Sequence, residues 1–350
     1  MPRVVLVTGV SRHLGLRLAA QLAAEPAIER VLGVDTTPPA KAGLARLGRT
    51  EFVRADIRNP LIARVLAHAN VDSVVHAAVT ATPRRAGGRT AMKELNVIGT
   101  MQLLAACQKS ETVQRFVVKS ATSVYGSGPR DPAVFAEDTP TPSGPSSGYG
   151  KDAVEVEGYV RAFSRRRPDV TVTVLRLANV IGPTIDTPLT RYFALPVVPT
   201  EFGYDPRLQF VHEDDAVEVL RLATLDDRPG VFNVAGEGTL LLSQAIRRAG
   251  RVPLAVPAPA VQAVVSLVRR SGLVDFSPEQ IRFLNFGRVV DATRLRTQFG
   301  YQPRYSTAAA FAAFLAGRPI APIVTPERIR RAERLAGRVL GVREPMAGHG

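Results

Sequence analysis

The sequence predicts an α/β protein with a doubly wound parallel sheet and a smaller C-terminal lobe that holds substrate. Short β-branched apolar runs alternate with longer amphipathic patterns of helical period, and a glycine-rich turn joins the first run to the first helical pattern. From Pro183 onward the alternation gives way to proline-rich loops and shorter helical pieces. Because parallel neighbours need crossover connections, the first part should form a sheet with helices on both faces.

Short apolar runs predict the strands of this sheet in chain order. They are Val4–Val7, Val31–Val34, Glu51–Arg54, Val74–His76, Phe116–Val118 and Val172–Leu175. We expect residues 1–182 to form the sheet domain and residues 183–320 to form the smaller lobe, with parts returning to the first domain. Residues 321–350 are expected to form a basic amphipathic helix and tail. Ligands of such sheets bind at the carboxyl ends of the strands, where the lobe would close over them.

Composition limits the classes of protein to which the chain can belong. At 350 residues and 45% apolar residues, it can bury a sizeable core. No stretch approaches the roughly 18 uninterrupted apolar residues of a membrane span, and the first strand begins without an export leader, so we expect a cytoplasmic protein. Its one cysteine, Cys107, cannot form an internal disulfide. No Cys/His cluster has the spacing of metal ligands, so no metal is expected.

The net charge of +14 and the pI near 10.7 raise the question of nucleic acid. Almost all of the basic residues are arginines spread along the chain, and no basic–aromatic pattern of the kind that stacks bases recurs, so we expect no nucleic-acid partner. Basic residues are concentrated only in the segment Pro326–Gly341, which has the pattern of an amphipathic helix. Its interpretations are peripheral contact with an anionic membrane, contact with a partner protein, and packing across its own domain.

A glycine turn follows the first strand. The segment Thr8–Gly15 lies between that strand and an apolar helical pattern, which is the order of a Rossmann-type dinucleotide site. Gly9 suits the tight turn, and Gly15 lets the helix and the strand pack closely. Asp35, at the end of the second strand, is positioned to accept hydrogen bonds from the adenosine ribose. The residues around the start of the helix are expected to face a diphosphate through backbone N–H groups. They are Ser11, Arg12, His13 and Leu14.

These features resemble the extended short-chain dehydrogenases/reductases, the NAD-dependent epimerase/dehydratase family that acts on nucleotide sugars. The resemblance extends over roughly Val4 to Leu315. The family's glycine motif is T-G-x-x-G-x-x-G, and Arg12 stands at its middle glycine. A shorter branch of the superfamily has T-G-x-x-R-G-x-G, often with NADP, so Arg12 suits a 2′-phosphate whereas Asp35 would repel one. The resemblance favours NAD and leaves NADP open.

Further segments match the family in order and imply more site residues. Asp56-Ile57-Arg58 resembles the adenine-contacting segment, and Phe210–Asp215 resembles a signature of the second lobe. Asn179 matches an asparagine that contacts the substrate diphosphate, and Arg207 is a second candidate for substrate phosphate. His76 is a candidate cofactor contact, although a lone histidine at a strand end is more often packed. The resemblance thus adds these candidates at the cofactor: Asp56, Ile57, His76, Ala77, Ala78 and Asn96.

The catalytic set of the family is incomplete in this sequence. The resemblance implies a tyrosine as acid/base, a lysine four residues later that lowers its pKa, and a serine or threonine that orients the substrate. Tyr149 fits, but Ala153 stands at the lysine position, and Lys151 lies about 200° round the helix from Tyr149. A second register matches Lys151 to the lysine and then places Ser147 at the tyrosine, but it fits fewer flanking residues.

The position of the orienting hydroxyl is occupied by Ala121. Its neighbours Ser120 and Thr122 have hydroxyl groups, but in an extended strand they point to other sides than residue 121. The catalytic candidates that remain are Tyr149 and, as the nearest threonine, Thr122. We therefore expect a dinucleotide-binding protein whose epimerase, dehydratase or reductase chemistry on a nucleotide sugar is weakened. The alternative is a non-catalytic dinucleotide-binding protein that regulates a partner. The resemblance also implies a homodimer through the helices that hold Gly99 and Tyr149.

Overall fold

The computed structural model describes residues 3–80, 88–140, 144–145, 148–261, 263, 277–318 and 320. The predicted helix Pro326–Gly341 lies outside the described residues, so its interpretations stay predictions. The strands of the described part are β1 (Arg3–Thr8), β2 (Ile28–Asp35), β3 (Glu51–Arg54), β4 (Ser73–His76), β5 (Arg115–Ala121), β6 (Thr171–Leu177), β7 (Asn179–Ile181), β8 (Val197–Glu201), β9 (Arg207–Leu208), β10 (Phe210–His212), β11 (Gly230–Val234), β12 (Leu240–Leu241) and β13 (Val252–Val256).

The helices alternate with these strands along the first half of the chain. They are α1 (His13–Ala24), α2 (Lys41–Arg46), α3 (Ile62–His68), α4 (Gly88–Lys93), α5 (Gly99–Lys109), α6 (Gly148–Arg166), α7 (Pro188–Ala194), α8 (Glu213–Leu225), α9 (Leu242–Arg248), α10 (Pro278–Phe286), α11 (Thr293–Thr297) and α12 (Thr307–Gly317). A π-helical turn, Glu94–Ile98, joins α4 to α5, and the 3-10 helix Thr122–Tyr125 follows β5. No helix of the described part is both long and apolar enough to cross a bilayer.

Seven parallel strands form the central sheet, in the order β11-β6-β5-β4-β1-β2-β3. The six strands predicted from the sequence all belong to it. The seventh strand, β11, comes from a short run beyond the point where the α/β alternation ends, and the sequence pattern did not predict it. Strand order reverses beside β1, where Thr8 lies opposite both Val34 and His76. The carboxyl ends of the strands therefore form a crevice on the two sides of β1.

Apolar side chains on both faces of the strands explain the doubly wound arrangement. On one face Val5 and Val7 pack with Leu18 of α1 in a core that also holds α8. On the other face Leu6 and Val74 belong to a core that includes α3 and α5. Burial of a leucine or valine side chain is worth about 1.5–3 kcal/mol, so strands that are apolar on both sides require helices on both sides.

The second lobe is built from short elements around its own aromatic core. Its strands form the two-stranded pairs β7–β10, β8–β13 and β9–β12. Phe193, Phe210 and Phe311 are fully buried, and the ring centroids of Phe193 and Phe311 lie 5.0 Å apart, edge to face. Helix α10 of this lobe reaches the start of α6, where the Gly150 N–H donates to Glu279 Oε2 at 2.9 Å. The lobe therefore contacts the sheet domain at the crevice.

The glycine turn is fixed by lack of space. Gly9 has a φ of +78°, and a Cβ there would lie 2.7 Å from the Ala78 Cα. A Cβ on Gly15 would overlap the Gly9 carbonyl oxygen. Glycine at both positions lets α1 begin directly against the ends of β1 and β4, as the sequence predicted.

A buried ion pair lies behind the crevice. Arg176 of β6 donates to both carboxylate oxygens of Glu157 of α6, with the shortest N–O distance at 2.7 Å, and both side chains are buried. Ser120 also donates to Glu157 Oε1 at 2.6 Å, and Arg176 donates to the Tyr125 hydroxyl at 2.8 Å. This network of buried polar side chains joins α6, β5 and β6.

Replacing Glu157 with glutamine should lower the free energy of unfolding by about 3 kcal/mol, because it leaves a buried guanidinium without its counter-ion. Chemical denaturation measures this loss. Glu155→Gln on the same helix is the control, because Glu155 is partly exposed and lies 3.9 Å from Lys93. We expect the control to change stability by no more than about 0.5 kcal/mol. Equal stability of the two variants would contradict this account of the network.

Gly15→Ala should lower the free energy of unfolding by about 1–3 kcal/mol, because the new methyl group overlaps backbone that cannot move away easily. Gly158→Ala is the matched control, since a Cβ at that position of α6 meets nothing within 4 Å. Alanine also favours a helix over glycine, so the control should gain about 0.5–1 kcal/mol. Thermal unfolding of the wild-type protein and the two variants measures these changes. A Gly15→Ala protein as stable as the wild type would refute the packing argument.

Candidate functional site

The start of α1 presents a polar surface to the crevice. Arg12 is the N-cap residue of α1, and its side chain makes no capping bond to the helix backbone. The first turn of a helix has N–H groups without intrahelical partners, and these favour an anion. The Gly9 N–H is held by the Val34 carbonyl at 2.8 Å, which aligns the turn with β2. The geometry therefore fits a phosphate group at this helix end.

Asp35 lies beside that turn at the carboxyl end of β2. Its Oδ2 accepts hydrogen bonds from the Ser11 N–H at 3.2 Å and from the Ser11 hydroxyl. Its Oδ1 accepts from the Thr36 N–H at 2.8 Å. These bonds hold the carboxylate next to the helix start, where the sequence predicted an acceptor for ribose hydroxyls. The glycine turn and Asp35 thus form one continuous surface.

A cleft of about 430 Å³ lies between the sheet ends and the second lobe. Its walls combine residues of the glycine turn, the ends of β4, β5 and β6, the start of α6, and helices α7 and α10. Several of the residues predicted from the sequence line this cleft. They are Arg12, His13, Leu14, Gly15, Ala77, Thr122, Tyr149 and Asn179. The structure therefore brings the predicted catalytic tyrosine, the glycine turn and the predicted substrate asparagine to one cavity.

Two of the predicted residues, His76 and Arg207, do not line that cavity. The His76 ring is fully buried between the Thr8 and Thr100 hydroxyls, at 2.9 Å from each. Burial and then the charge of Lys119 lower the pKa of His76 to about 3, so it is neutral and structural. Arg207 is exposed on β9 and donates to the Ala133 carbonyl at 3.1 Å, which keeps it away from the cleft.

The remaining predicted residues pack under the loops of the crevice or lie next to the end of β2. Asn96 is buried and bonds Thr80 backbone atoms at 2.9 and 3.0 Å, and the Ile57 side chain packs under Gly99. Ala78 packs against the glycine turn. Asp56 follows Ala55, whose N–H donates to the Asp35 carbonyl, and it pairs with Arg58 at 2.6 Å. Bonding to Arg58 lowers the pKa of the Asp56 carboxyl.

Arg12 stands where the family motif has its middle glycine, and it lines the cleft. Its Nη1 donates to the Thr80 hydroxyl at 2.9 Å. The guanidinium therefore lies next to the loop that follows β4.

Tyr149 is the second residue of α6 and lines the cleft. Ala153 is buried one helical turn later, and Lys151 is exposed on the other side of α6. Burial raises the pKa of the Tyr149 hydroxyl, and the negative charges of Glu279, Asp152 and Glu157 raise it further. The charge of Arg12 lowers it. Because its pKa is raised, the Tyr149 hydroxyl stays protonated near neutral pH. It can donate a hydrogen bond or a proton, but it is a poor base.

The acidic group nearest to Tyr149 in sequence has its own cation. Asp152 is fully buried and accepts two hydrogen bonds from Arg89 of α4, at 2.5 and 2.6 Å. Asn96 donates to the same carboxylate at 3.2 Å. Arg89 also donates to the Gly148 carbonyl at 2.6 Å. This cation is therefore directed to Asp152 and to the start of α6.

The end of β5 differs from the sequence-based expectation in one respect. Ser120 turns to Glu157, as alternation along a strand requires, and Thr122 begins the 3-10 helix with a buried side chain at the cleft. Ser123, which the sequence analysis did not select, is buried at the cleft wall, and its hydroxyl has no hydrogen-bond partner among the described residues. Lys119, also not selected, lines the cleft from the same strand.

The second lobe contributes a half-buried acid and a buried cation that the sequence pattern did not predict. Glu279 lines the cleft beside the start of α6, and burial raises the pKa of its carboxyl. Arg288 donates to the Gly126 carbonyl at 2.6 Å and to the Ser127 hydroxyl at 3.1 Å. Burial lowers the pKa of Arg288 to about 10, so it remains cationic at neutral pH. Both residues are distant in sequence from every motif, so only tertiary structure could place them.

The described residues contain no group of three or more His, Cys, Asp or Glu side chains that could hold a metal ion. The titratable and charged side chains that line the cleft include Tyr149, Glu279, Lys119 and two arginines. These side chains can bind an anion, donate protons and orient a polar substrate.

Comparison with known proteins agrees with this geometry. The family model for the NAD dependent epimerase/dehydratase family matches residues 5–235. The protein Rv0501 of Mycobacterium tuberculosis is 52% identical over 341 residues, which cover 97% of this chain and 90% of that protein. A dTDP-glucose 4,6-dehydratase of Streptomyces niveus is 29% identical over 276 residues, covering 76% of this chain and 75% of the enzyme.

Among solved structures, DesIV, a dTDP-glucose 4,6-dehydratase of Streptomyces venezuelae with NAD and TYD bound, aligns with a TM-score of 0.68 at 25% identity. The alignment covers 90% of this chain and 96% of that one. The family model and this structural relative agree with the α/β fold and its parallel sheet. The chain belongs to the NAD dependent epimerase/dehydratase family of extended short-chain dehydrogenases/reductases.

Proposed function

We propose that the protein binds NAD in the crevice, with the diphosphate at the start of α1 and the adenosine ribose on Asp35. The observation that carries this proposal is the continuous surface of the Gly9 turn and the Asp35 carboxylate. DesIV, a structural neighbour, was solved with NAD bound. NADP is less favoured, because Asp35 repels a 2′-phosphate and the Arg12 guanidinium is directed to Thr80 instead. NAD, when bound, supplies a hydride acceptor to the cleft.

The same cleft is proposed to take a nucleotide sugar next to the dinucleotide. Asn179 lines it at the end of β6 and the start of β7, where it can donate to a diphosphate. Arg288 adds a buried positive charge from the second lobe. A dTDP-glucose 4,6-dehydratase and a UDP-glucose 4-epimerase of Yersinia pestis are among the relatives, which supports this substrate class.

Turnover is proposed to be slow, because Tyr149 lacks the cation that would make it a base. Oxidation of a sugar hydroxyl requires removal of its proton as the hydride leaves. Burial, and then the carboxylates of Glu279, Asp152 and Glu157, instead keep the phenol protonated. General acid/base groups contribute about 10²–10⁴-fold each, so the loss of the lysine and of the hydroxyl at position 121 reduces the rate greatly.

The second candidate function is a non-catalytic dinucleotide sensor that regulates a partner. Alanine at both position 121 and position 153 favours it, because neither side chain can donate, accept or carry charge. Assays of hydride transfer with UDP-, GDP- and dTDP-sugars separate the two candidates. Reduced nicotinamide that forms with at least one sugar supports the enzyme. NAD binding without transfer to or from any sugar supports the sensor.

Domain organisation and assembly follow the same proposal. We place the dinucleotide domain at residues 1–182 and the substrate lobe at residues 183–320, with β11 and α8 returning to the sheet domain. A homodimer through α5 and α6 is proposed, because apolar side chains on both helices and the turn before α5 are exposed. They are Ile98, Met101, Val154 and Tyr159, with exposed fractions of 38–45%. A cytoplasmic location stays a prediction from composition.

Introducing the missing groups as Ala121→Ser and Ala153→Lys should raise hydride transfer to NAD by about 100-fold or more with the best sugar of that panel. The new ammonium would lie one helical turn from Tyr149 and lower the pKa of its hydroxyl. Ser164→Lys, near the far end of the same helix and outside the proposed dimer interface, is the control and should leave the rate unchanged. No gain in the double variant would show that Tyr149 and Ala153 are not the catalytic positions.

Met101→Glu should convert the proposed dimer to a monomer, because it would bury a charge in an apolar interface. Sedimentation velocity measures the mass of the wild-type and variant proteins. Leu254→Glu is the control, since Leu254 is 49% exposed but lies on β13 of the second lobe. A monomeric wild-type protein, or a variant that remains dimeric, would refute this interface.

A further inference from the structure

Lys119 is a charged residue on a strand in which the three residues before it are apolar and buried. It is the fifth residue of β5, after the buried run Phe116–Val118, and it shares a strand face with Ala121. It lines the cleft, and its Nζ donates to the Val79 carbonyl just beyond the end of β4. Its ammonium group therefore lies at the carboxyl ends of β4 and β5.

The strand order decides which part of a dinucleotide would lie there. Asp35 ends β2 on one side of β1, whereas β4 and β5 lie on the other side. A dinucleotide with its adenosine ribose on Asp35 would place its diphosphate at the start of α1, and its second half would extend over the ends of β4 and β5. Lys119 and Arg12 would then lie on the same side of that diphosphate.

The charges around Lys119 leave its ammonium without a carboxylate partner. Arg12, from the loop before α1, is a second cation nearby, and the His76 ring of β4 is neutral. The cleft acids Glu279 and Asp186 belong to the wall formed by the second lobe, and neither forms an ion pair with Lys119 in the described part of the chain. Burial, and then the charge of Arg12, lower the pKa of Lys119 to about 7.

Lys119 is half-buried, and removing an ammonium from water without an anionic partner is costly, a cost that an apolar residue at this point of the strand avoids. Phe116, Val117 and Val118 of the same strand are all apolar and buried. Among the described residues, the bond to the Val79 carbonyl satisfies one of the three N–H donors of the ammonium. An anion bound beside Lys119 would accept hydrogen bonds from the other N–H groups of the ammonium and balance its charge.

We propose that Lys119 and Arg12 form a two-cation site for the diphosphate of the bound dinucleotide. This inference rests on the proposed NAD binding and adds to it the residues that hold the nicotinamide side of the cofactor. Lys119 thereby supplies from β5 a cation to a cleft that has no lysine at position 153. The site lies on the sheet domain, so the diphosphate of a nucleotide sugar bound against the second lobe is a separate ligand.

Protonation distinguishes this role from a structural one. With a pKa of about 7 in the free protein, about nine in ten Lys119 side chains are neutral at pH 8. A diphosphate raises the pKa of the amine, so NAD binding at pH 8 should take up close to one proton. The affinity should then fall by up to about tenfold from pH 8 to pH 9 and level off below pH 7, where the amine is already charged.

The experiment is calorimetric titration of the full chain with NAD at pH 8 in Hepes and in Tris, whose ionisation enthalpies differ. Wild-type protein should take up close to one proton per NAD. Lys119→Met should lose this uptake and bind NAD about tenfold more weakly at pH 7. Lys119→Arg should keep the affinity without the uptake, and Lys151→Met, an exposed control on α6, should behave as wild type.

Three results would overturn the inference. They are wild-type binding of NAD without proton uptake, unchanged uptake in Lys119→Met, and uptake caused by UDP-glucose but not by NAD. If Lys119→Met fails to fold, the wild-type uptake and the Lys119→Arg variant still decide the question. A wild-type protein that binds neither NAD nor NADP would instead refute the proposed function itself, and the two-cation site with it.

Discussion

The close approach of three backbone segments at Gly9 and Gly15 is the constraint on which the rest of the structure depends. A side chain at either position would meet the Ala78 backbone or the Gly9 carbonyl. Without side chains there, the end of β1, the loop after β4 and the start of α1 come together. This junction sets the direction of α1 and brings Asp35 beside the helix start. The crevice is thus a consequence of backbone packing before any ligand is considered.

Charge placement in the cleft departs from what a tyrosine base requires. Burial and three carboxylates raise the pKa of Tyr149, and the charge of Arg12 opposes them without restoring the usual value. Arg89 is paired with Asp152, and Lys119 lies toward the sheet ends. Such an arrangement favours binding of anionic ligands over removal of a proton from a hydroxyl. Binding and chemistry are therefore separable in this protein, because different side chains serve each of them.

Much of this could be predicted from the sequence, because local patterns encode it. The period of the hydrophobic residues predicted six strands of the sheet. The spacing from Gly9 to Asp35 predicted that the glycine turn and the Asp35 carboxylate lie together at one edge of the sheet. The alanines at positions 121 and 153 could also be read directly against the family motif. These features depend on residues that are close together in the chain.

The rest depends on contacts between distant segments. Nothing near Glu279 or Arg288 in the sequence indicates that α10 reaches the start of α6. Lys119 follows directly after the predicted strand Phe116–Val118, and only the extension of β5 to Ala121 turns it into the cleft. Arg207 has the right charge for a phosphate contact, but its strand faces the Ala133 loop. The sequence pattern also ended before β11, so it could not predict a seventh strand.

The central claim is that the glycine turn and Asp35 bind a dinucleotide, and the affinity of the folded chain for NAD tests it most directly. Titration of NAD and NADP into wild-type protein and into Asp35→Ser should give measurable binding of NAD, weaker binding of NADP, and loss of that preference in the variant. An absence of binding heat with either dinucleotide, or an unchanged preference in Asp35→Ser, would contradict the account.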